Sequence, residues 1–488
     1  MKPKDDSSID RAETLARWKA KDPADDGRFV VGVLSTGIYC LPSCPARTPK
    51  DENVRFFRDE EGARAGGLRA CRRCKPDHFY RGYDPDREAV EALAERVRSE
   101  PGSFAGVPDL RRETGFGATK LNELFRRHYH TTPAAYLQRA RVRFAADRLV
   151  RTKRTVLDVA LEAGFDSSSA FHEAFAARLC TTPGAYRKLA SASEFSLTLP
   201  RDYRNESVLG MFGRDREGRT ERSDGNRAAK ALDLAGRPAV LELRFSSRRV
   251  QVRIRCARKP SRAMAVAAHT AVLRLLGLGV DPGPFERRMK RTAGLAPLVR
   301  GREGLRIPLT ADAFEGLVWV VVGQQVNVSF AATCRARLIE RVGRSVPGEP
   351  EFLVHPTPEE VAQVSIEDLQ ARQYSRRKAE YVVDSARRIA TGSLDLEGLR
   401  EAPAGRVEET LLAIRGLGPW SVNYLLMRSF GLEDCVPVGD VALVQAIQNF
   451  FGLEARPDAT GTVEKMEVFA PHRSLATFHL WRSLGDDG

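Results

Sequence analysis

Two clusters of residues in this chain have the types and spacing for chemistry. The first is a set of cysteines. Cys40 and Cys44 are separated by three residues, and a gap of 26 residues leads to Cys71 and Cys74, separated by two. Two close pairs flanking a loop can bring four thiolates to the corners of a tetrahedron, the geometry and ligand softness that zinc prefers. A zinc-bound sulfur stays deprotonated at neutral pH and remains nucleophilic. The residues alone leave open a purely structural zinc site, a pair of redox dithiols and a reactive thiolate. The second cluster is Ile414-Arg415-Gly416-Leu417-Gly418-Pro419-Trp420-Ser421-Val422-Asn423-Tyr424, followed by Val436-Pro437-Val438-Gly439-Asp440. It reads as a helix end, a tight Gly-x-Gly turn and a new helix. Gly416 and Gly418 would let backbone N–H groups approach a phosphate. Asp440 precedes an apolar helix starting at Val441, so it is either an N-cap or an anion available for chemistry. Trp420 and Tyr424, one helical turn apart, are either core or an aromatic wall for an electron-poor ring.

The elements that must position these groups span 488 residues, enough for several domains. Lys and Arg total 78 against 64 for Asp and Glu, a net charge of +14 that favours polyanion partners. The charged amino terminus, Met1 to Asp10, shows no apolar signal segment, and the apolar run around Leu317–Val322 is too short to span a bilayer. We therefore expect a cytoplasmic, nucleoid-associated chain with no membrane partner. In that reducing compartment clustered cysteines mean metal or catalysis.

Between the clusters lies an internal repeat. Gly115-Phe116, Phe125 and Thr131-Thr132-Pro133-Ala134-Ala135-Tyr136 recur as Gly164-Phe165, Phe175 and Thr181-Thr182-Pro183-Gly184-Ala185-Tyr186. Each copy reads as helix, Gly-containing turn and second helix closed by Thr-Thr-Pro. Arg139, Arg141, Arg143, Arg148, Arg151, Lys153 and Arg154 form a basic run between them, part solvated face and part candidate DNA contact. From about Ser193, Ala239–Phe245 and Val250–Cys256 alternate like half-buried strands, and the charged stretch Gly213–Arg227 reads as an exposed loop. From about Leu295 the pattern is helical to the end, with helices expected at Ala313–Val322, Val328–Val342, Arg376–Thr391 and Trp420–Phe430.

The wording around the cysteines, Thr36-Gly37-Ile38-Tyr39-Cys40-Leu41-Pro42-Ser43-Cys44-Pro45-Ala46-Arg47 and Cys71-Arg72-Arg73-Cys74-Lys75-Pro76-Asp77, resembles the amino-terminal domain of Ada, the adaptive-response protein. The resemblance implies one zinc ion on the four cysteines and transfer of a methyl group from a DNA methyl phosphotriester to Cys40. Methylation removes one negative charge from the metal–thiolate cluster, which reduces repulsion from DNA phosphates and can turn repair into a transcriptional signal. Arg47, Arg72 and Arg73 are candidate phosphate contacts. Val156 to Phe171 resembles the AraC-type DNA-binding signature, implying two helix-turn-helix units. Thr119, Lys120, Asn122 and Glu123 would face DNA in the first, and Ser168, Ser169, His172 and Glu173 in the second. Cys180 stands where that family usually has glycine.

The Gly-x-Gly hairpin with Asp440 resembles the helix-hairpin-helix DNA glycosylase superfamily. Gly323-Gln324-Gln325-Val326, Pro471-His472-Arg473-Ser474 and His479-Leu480-Trp481 point within it to the AlkA type. The resemblance implies that Asp440 is the catalytic carboxylate, that Trp420, Tyr424 and His472 line the base pocket, and that Gln325 fills the gap left by an extruded base. His472 stands where that family has tryptophan, and Gln325 where it has a leucine wedge. Trp420 occupies the place of the Schiff-base lysine of bifunctional relatives, which implies a monofunctional hydrolase. The Pro-Cys-His-Arg motif of methylguanine repair is missing, so no such reversal is expected.

The fold class expected is multidomain and mainly α with an α+β segment. Its parts are a zinc-bound four-cysteine domain (1–85), a double helix-turn-helix (86–190), a mixed α/β subdomain (191–294) and a helix-hairpin-helix glycosylase domain (295–488). The function expected is DNA alkylation repair with regulation: a single-turnover methyl acceptor that activates transcription, joined to a 3-methyladenine glycosylase. Duplex DNA and RNA polymerase are the expected partners of a monomer. The competing expectation is a regulator whose glycosylase fold only binds DNA.

Overall fold

Alternation and capping signals in the chain resolve, in a computed structural model, into two compact units, one ending at Ala89 and one beginning at Val90. The structure describes residues 10–215 and 217–485. Nine of the ten amino-terminal residues read above for a signal segment therefore lie outside the described residues. No described helix is long and apolar enough to cross a membrane.

In the first unit, Asp10 caps the helix Arg11–Ala20 by accepting from the Ala12 and Glu13 N–H groups. Four short strands, β1 (Val30–Val33), β2 (Ile38–Cys40), β3 (Val54–Phe57) and β4 (Arg69–Ala70), form a sheet in the order β3-β1-β2-β4. Val31 pairs with both Cys40 and Phe56. The sheet packs Val31 and Phe56 with Trp18 and Phe29 on the side of the cysteines, and Val30, Tyr39 and Phe57 with Ala63 and Leu68 on the other. Gly32 is required by packing, because a Cβ there would lie 2.5 Å from Leu68 and 2.6 Å from Phe57.

The second unit opens with the repeat. Helices Val107–Thr114 and Ala118–Tyr129 form the first helix-turn-helix, and Val156–Glu162 and Ser168–Leu179 the second. The long helix Pro133–Arg151 joins them. Thr132 and Thr182 are N-caps whose hydroxyls accept from the Ala135 and Ala185 N–H groups, each followed by proline at the first helical position. That is the physical content of the repeated Thr-Thr-Pro. Both second helices end on a left-handed residue, His130 (φ 50°) and Cys180 (φ 53°). The turn that the family makes with glycine is thus kept at Cys180, at the steric cost of a side chain in that region.

Strands β5 (Glu194–Thr198), β6 (Glu221–Asp224), β7 (Arg227–Leu234), β8 (Arg237–Ser246) and β9 (Arg249–Arg255) form an antiparallel sheet in the order β5-β9-β8-β7-β6. The charged stretch read as a loop therefore contains an edge strand. Glu221–Asp224 pairs with Arg227–Lys230, and an edge strand tolerates charge on its solvent face. The carboxy-terminal region is not wholly helical either. β10 (Arg344–Val346) and β11 (Glu349–Val354) make a hairpin whose Val346, Phe352 and Val354 pack on Ala229, Ala231 and Val240. Its short runs lie below the length at which helical period can be told from strand.

Helices appear at Ala313–Gly323, Val328–Val342 and Arg376–Ala390, but the segment expected as one helix from Trp420 is divided. Pro419–Leu425 is α-helical, and Leu426–Phe430 widens into a turn of π-helix ended by Gly431 at φ 74°. A buried ion cluster ties sheet to helices: Lys230 Nζ donates to Glu315 (2.8 Å) and to Glu221, and Arg335 donates to Glu315 (2.7 Å).

The repeat and the sheet share one apolar core. Leu149, Phe165, Phe171, Phe175 and Tyr186 are continuous with Leu197, Leu232, Leu241, Val252 and Val272. Across this seam the Thr198 N–H donates to the Cys180 carbonyl (2.7 Å), and the His269 ring bonds the Leu179 carbonyl (3.0 Å). The first helix-turn-helix meets the carboxy-terminal helices by polar contacts. Arg98 donates to the Glu401 carbonyl (2.8 Å), and His130 Nδ1 accepts from the Asp434 N–H (3.2 Å).

Candidate functional site

The four predicted sulfurs come together. Cys40 ends β2, Cys44 closes the following turn, and Cys71 and Cys74 flank the turn between β4 and the helix Pro76–Tyr80; all four Sγ atoms lie within 4.8 Å of one another. Cys40, Cys44 and Cys71 are buried and Cys74 is partly exposed. The cluster fits one tetrahedral zinc ion, because four soft donors, three of them buried, converge within reach of a single metal. Left to themselves they share protons: hydrogen bonding with Cys44 pushes Cys40 far up, and the same bond pulls Cys44 down.

The sulfurs are not equivalent. The Leu41 N–H donates to Cys74 and the Arg73 N–H to Cys71, each at 3.4 Å, and the Ala46 N–H serves Cys44. Among the described residues no backbone donor reaches Cys40. Its lone pairs are the least engaged. Arg47, Arg72 and Arg73 are all exposed, and among the described residues none has a carboxylate partner.

On the repeat, Thr119, Lys120, Asn122 and Glu123 are exposed on one second helix, and Ser168, Ser169, His172 and Glu173 on the other. Phe116 packs partly against the first core, while Phe125, Phe165, Phe171 and Phe175 are buried. The basic run is in good part internally paired. Arg148 and Arg154 reach Glu162, Arg151 reaches Asp147, and Arg141 donates to the Ala105 carbonyl.

The third site is a cavity of about 380 Å³ between the helix Glu206–Phe212 and the carboxy-terminal helices. Asp440 lines it and is both things its position allowed. Its Oδ1 accepts from the Leu443 N–H (2.8 Å), capping the helix Val441–Phe451, and from Trp481 Nε1 (3.0 Å). Its Oδ2 accepts from Trp420 Nε1 (3.0 Å). Two indoles thus hold the carboxylate at the cavity wall. Trp420 and Tyr424 rings lie 5.7 Å apart, Tyr424 and Trp481 6.0 Å, and Trp319 Nε1 donates to the Tyr424 hydroxyl (3.1 Å). Tyr424 is therefore a wall residue braced by its lining neighbour Trp319.

Not every expected residue joins this group. His472 is absent from the cavity lining. It stands at the start of the helix Arg473–Ser483, 3.5 Å from the Glu433 carboxylate, with its ring towards Phe285. Trp481 supplies an aromatic face in the lining instead. Gln325 is exposed at φ 55° in the turn between the helices Ala313–Gly323 and Val328–Val342, next to Val326, which lines the cavity. Gly416 takes φ 94°, with Tyr381 occupying the space a Cβ would need, and its carbonyl accepts from Gln324 Nε2 (2.7 Å). Gly418 is the N-cap of Pro419–Leu425. The lining also includes residues that no motif marks in the sequence, among them Glu206, Trp319, Arg428 and Phe478. Trp481 belongs to a motif that assigns it no role, and its distance of 41 residues from Asp440 gives no local signal.

A thiolate metal centre, a double helix-turn-helix and a helix-hairpin-helix cavity with a tryptophan-held carboxylate define a DNA repair protein that also binds DNA as a regulator. Family models match along the chain: Metal binding domain of Ada (13–77), Helix-turn-helix domain (110–189), AlkA N-terminal domain (195–312) and HhH-GPD superfamily base excision DNA repair protein (318–472). The chain is 31% identical over 483 residues to the probable bifunctional transcriptional activator/DNA repair enzyme AlkA of Mycobacterium tuberculosis, covering 96% of this chain and 95% of that one. It therefore belongs to the family of bifunctional transcriptional activator/DNA repair enzymes. The DNA-3-methyladenine glycosylase of Bacillus subtilis is 33% identical over 42% of this chain and 68% of its own. Among solved structures, the 3-methyladenine DNA-glycosylase of Archaeoglobus fulgidus shares the fold, with a TM-score of 0.52 at 22% identity over 59% of this chain and 97% of that one.

Proposed function

We propose that this chain repairs alkylated DNA twice over, as a single-turnover acceptor of phosphotriester methyl groups and as a monofunctional glycosylase, and that it reports the first event as a transcriptional activator. The observation that carries the glycosylase reading is Asp440 held by Trp420 and Trp481 at the wall of an aromatic cavity. Two indole N–H donors hold that carboxylate in a fixed orientation. It can stabilise the oxocarbenium-like sugar formed as the glycosidic bond breaks. The electron pair of that bond leaves on the base, and water adds to the anomeric carbon. Trp420, Tyr424 and Trp481 stack on the extruded base, with Gln325 and Val326 positioned for the gap in the duplex. The backbone N–H groups at Gly416 and Gly418 serve a phosphate. Trp420 stands after the hairpin and, among the described residues, no lysine lines the cavity, which supports release without an imine to the sugar.

Zinc on Cys40, Cys44, Cys71 and Cys74 would keep the sulfurs deprotonated and nucleophilic. Cys40, which no backbone N–H reaches, then attacks the methyl carbon. A carbon–sulfur bond forms, and the carbon–oxygen pair departs with the phosphodiester anion. Arg47 and Arg73 are free to meet the flanking phosphates. Thr119 and Lys120, with Ser168, Ser169 and His172, are positioned to read promoter grooves, and RNA polymerase is the partner of the activated monomer in the cytoplasm. His472, the residue that pointed towards a retired glycosylase, lies outside the cavity, so nothing favours that reading.

The test is one incubation of the protein with duplex DNA carrying radiolabelled methyl groups. Label is expected on protein and in released bases, lost respectively in Cys40→Ala and Asp440→Asn. Label on protein alone would leave a sensor without a glycosylase.

A further inference from the structure

Arg428 is a buried cation that the chemistry above does not use. It sits in the π-helical turn after Tyr424, 5% exposed, and lines the cavity shared by Asp440, Trp420 and Trp481. Its Nη2 reaches only the Met211 thioether (3.1 Å), a weak acceptor, and its guanidinium lies 5.7 Å from the Phe478 ring. Its Nε has no hydrogen-bond partner, and among the described residues no carboxylate lies within 4.0 Å of it. The other buried cations nearby are satisfied. Lys230 and Arg335 each meet Glu221 and Glu315, and Arg274 donates to the carbonyls of Thr310, Ala311 and Ser429. A buried guanidinium with unspent donors is costly unless a ligand completes it.

Resting on the glycosylase reading, we infer that Arg428 is a specificity residue: it donates to a carbonyl oxygen or unprotonated ring nitrogen of the extruded base, and so favours neutral damaged bases over cationic ones. A cationic alkylated base is repelled by the guanidinium and needs no help in leaving, since it departs neutral. A neutral base departs as an anion. As its glycosidic bond breaks, both electrons pass to the base, and the charge spreads to the acceptor that Arg428 touches. Water adds to the anomeric carbon and its proton passes to Asp440. The base anion then takes a proton from solvent, and Arg428 keeps its own throughout. A phosphate is the poorer occupant, because Asp440, Glu206 and five aromatic rings line the same cavity.

The experiment uses the full chain and two duplexes, one carrying hypoxanthine (neutral, with a carbonyl) and one carrying 7-methylguanine (cationic), under single-turnover conditions. In Arg428→Met the ratio of neutral to cationic release is expected to fall about 10- to 100-fold, the worth of a charged hydrogen bond. Arg428→Lys keeps the charge but loses the planar fork, and is expected to lower the same ratio about three- to tenfold even if the methionine variant does not fold. A ratio within about twofold of wild type in either folded variant overturns the inference, whatever happens to the separate rates. So does a wild-type protein that releases 7-methylguanine but never hypoxanthine. Release of neither base from wild type would instead sink the glycosylase reading beneath it.

Discussion

Asp440→Asn separates the two roles of that carboxylate. In the wild type, three donors converge on two oxygens: Leu443 N–H and Trp481 Nε1 on Oδ1, and Trp420 Nε1 on Oδ2. Asparagine has one oxygen. Placed on the Leu443 and Trp481 side, it keeps the helix cap but turns an NH2 against the Trp420 indole N–H. That unsatisfied pair costs about 1–3 kcal/mol of stability. Loss of the anion held by Trp420 and Trp481 should lower single-turnover base release by about 100- to 1000-fold or more, because the other acidic lining residue, Glu206, is not held by those indoles. The informative comparison is Trp420→Phe/Asp440→Asn, which removes the opposing donor. It should recover about 1–3 kcal/mol of stability over Asp440→Asn alone and none of the rate. Urea unfolding and single-turnover release on alkylated duplex would measure the two. A double variant no more stable than the single one would refute the donor-clash argument. An Asp440→Asn protein retaining more than about a tenth of the wild-type rate would refute the anion argument.

Three further outcomes are expected. A strong chelator should strip one zinc per chain and unfold the first unit, leaving a protease-resistant fragment that begins near Val90. Glu315→Gln weakens the anchor of both Lys230 and Arg335 and should cost about 3–5 kcal/mol in denaturant unfolding. The third concerns pH. Burial holds His269 and His355 down to about 4 and His479 to about 3, so each is neutral in the folded chain. Below about pH 6.5 the unfolded chain binds protons that the folded one does not, so stability falls with acid until these low values are reached. From pH 6.5 to pH 5 the loss should be about 1.5 kcal/mol per histidine, and His269→Gln should flatten the slope. A melting temperature unchanged across that range would count against the neutral, buried state.

Local chemistry was legible in the sequence and convergence over distance was not. The cysteine spacing and the Thr-Thr-Pro closures each state a local geometry, and the structure shows it at Cys40 to Cys74 and at Thr132 and Thr182. Asp440 was ambiguous because a cap and an anion call for the same residue at the same place, and it serves as the cap while facing the cavity. Trp481, Trp319 and Arg428 reach the cavity from separate helices, so no motif contained them. Arg428 depends further on the wide turn at Leu426–Phe430, which shifts the side-chain register that a regular helix would have had. His472 was placed by analogy with one aromatic position, whereas its neighbours Glu433 and Phe285 hold it elsewhere.

The apolar seam between the second helix-turn-helix and the five-stranded sheet makes residue 190 a poor place to cut the chain. Separating the halves there would expose Phe171, Tyr186, Leu241 and Val272, which are buried against a common core. Reader and excision machinery are thus welded, unlike two beads on a flexible tether whose mutual concentration depends on linker length. A molecule seated on a promoter carries its excision cavity at a set bearing from the site it reads. Which stretch of duplex the cavity can meet is then set by that bearing and by how far the DNA bends. Exchange of either half between relatives would likewise have to carry the matching side of the seam.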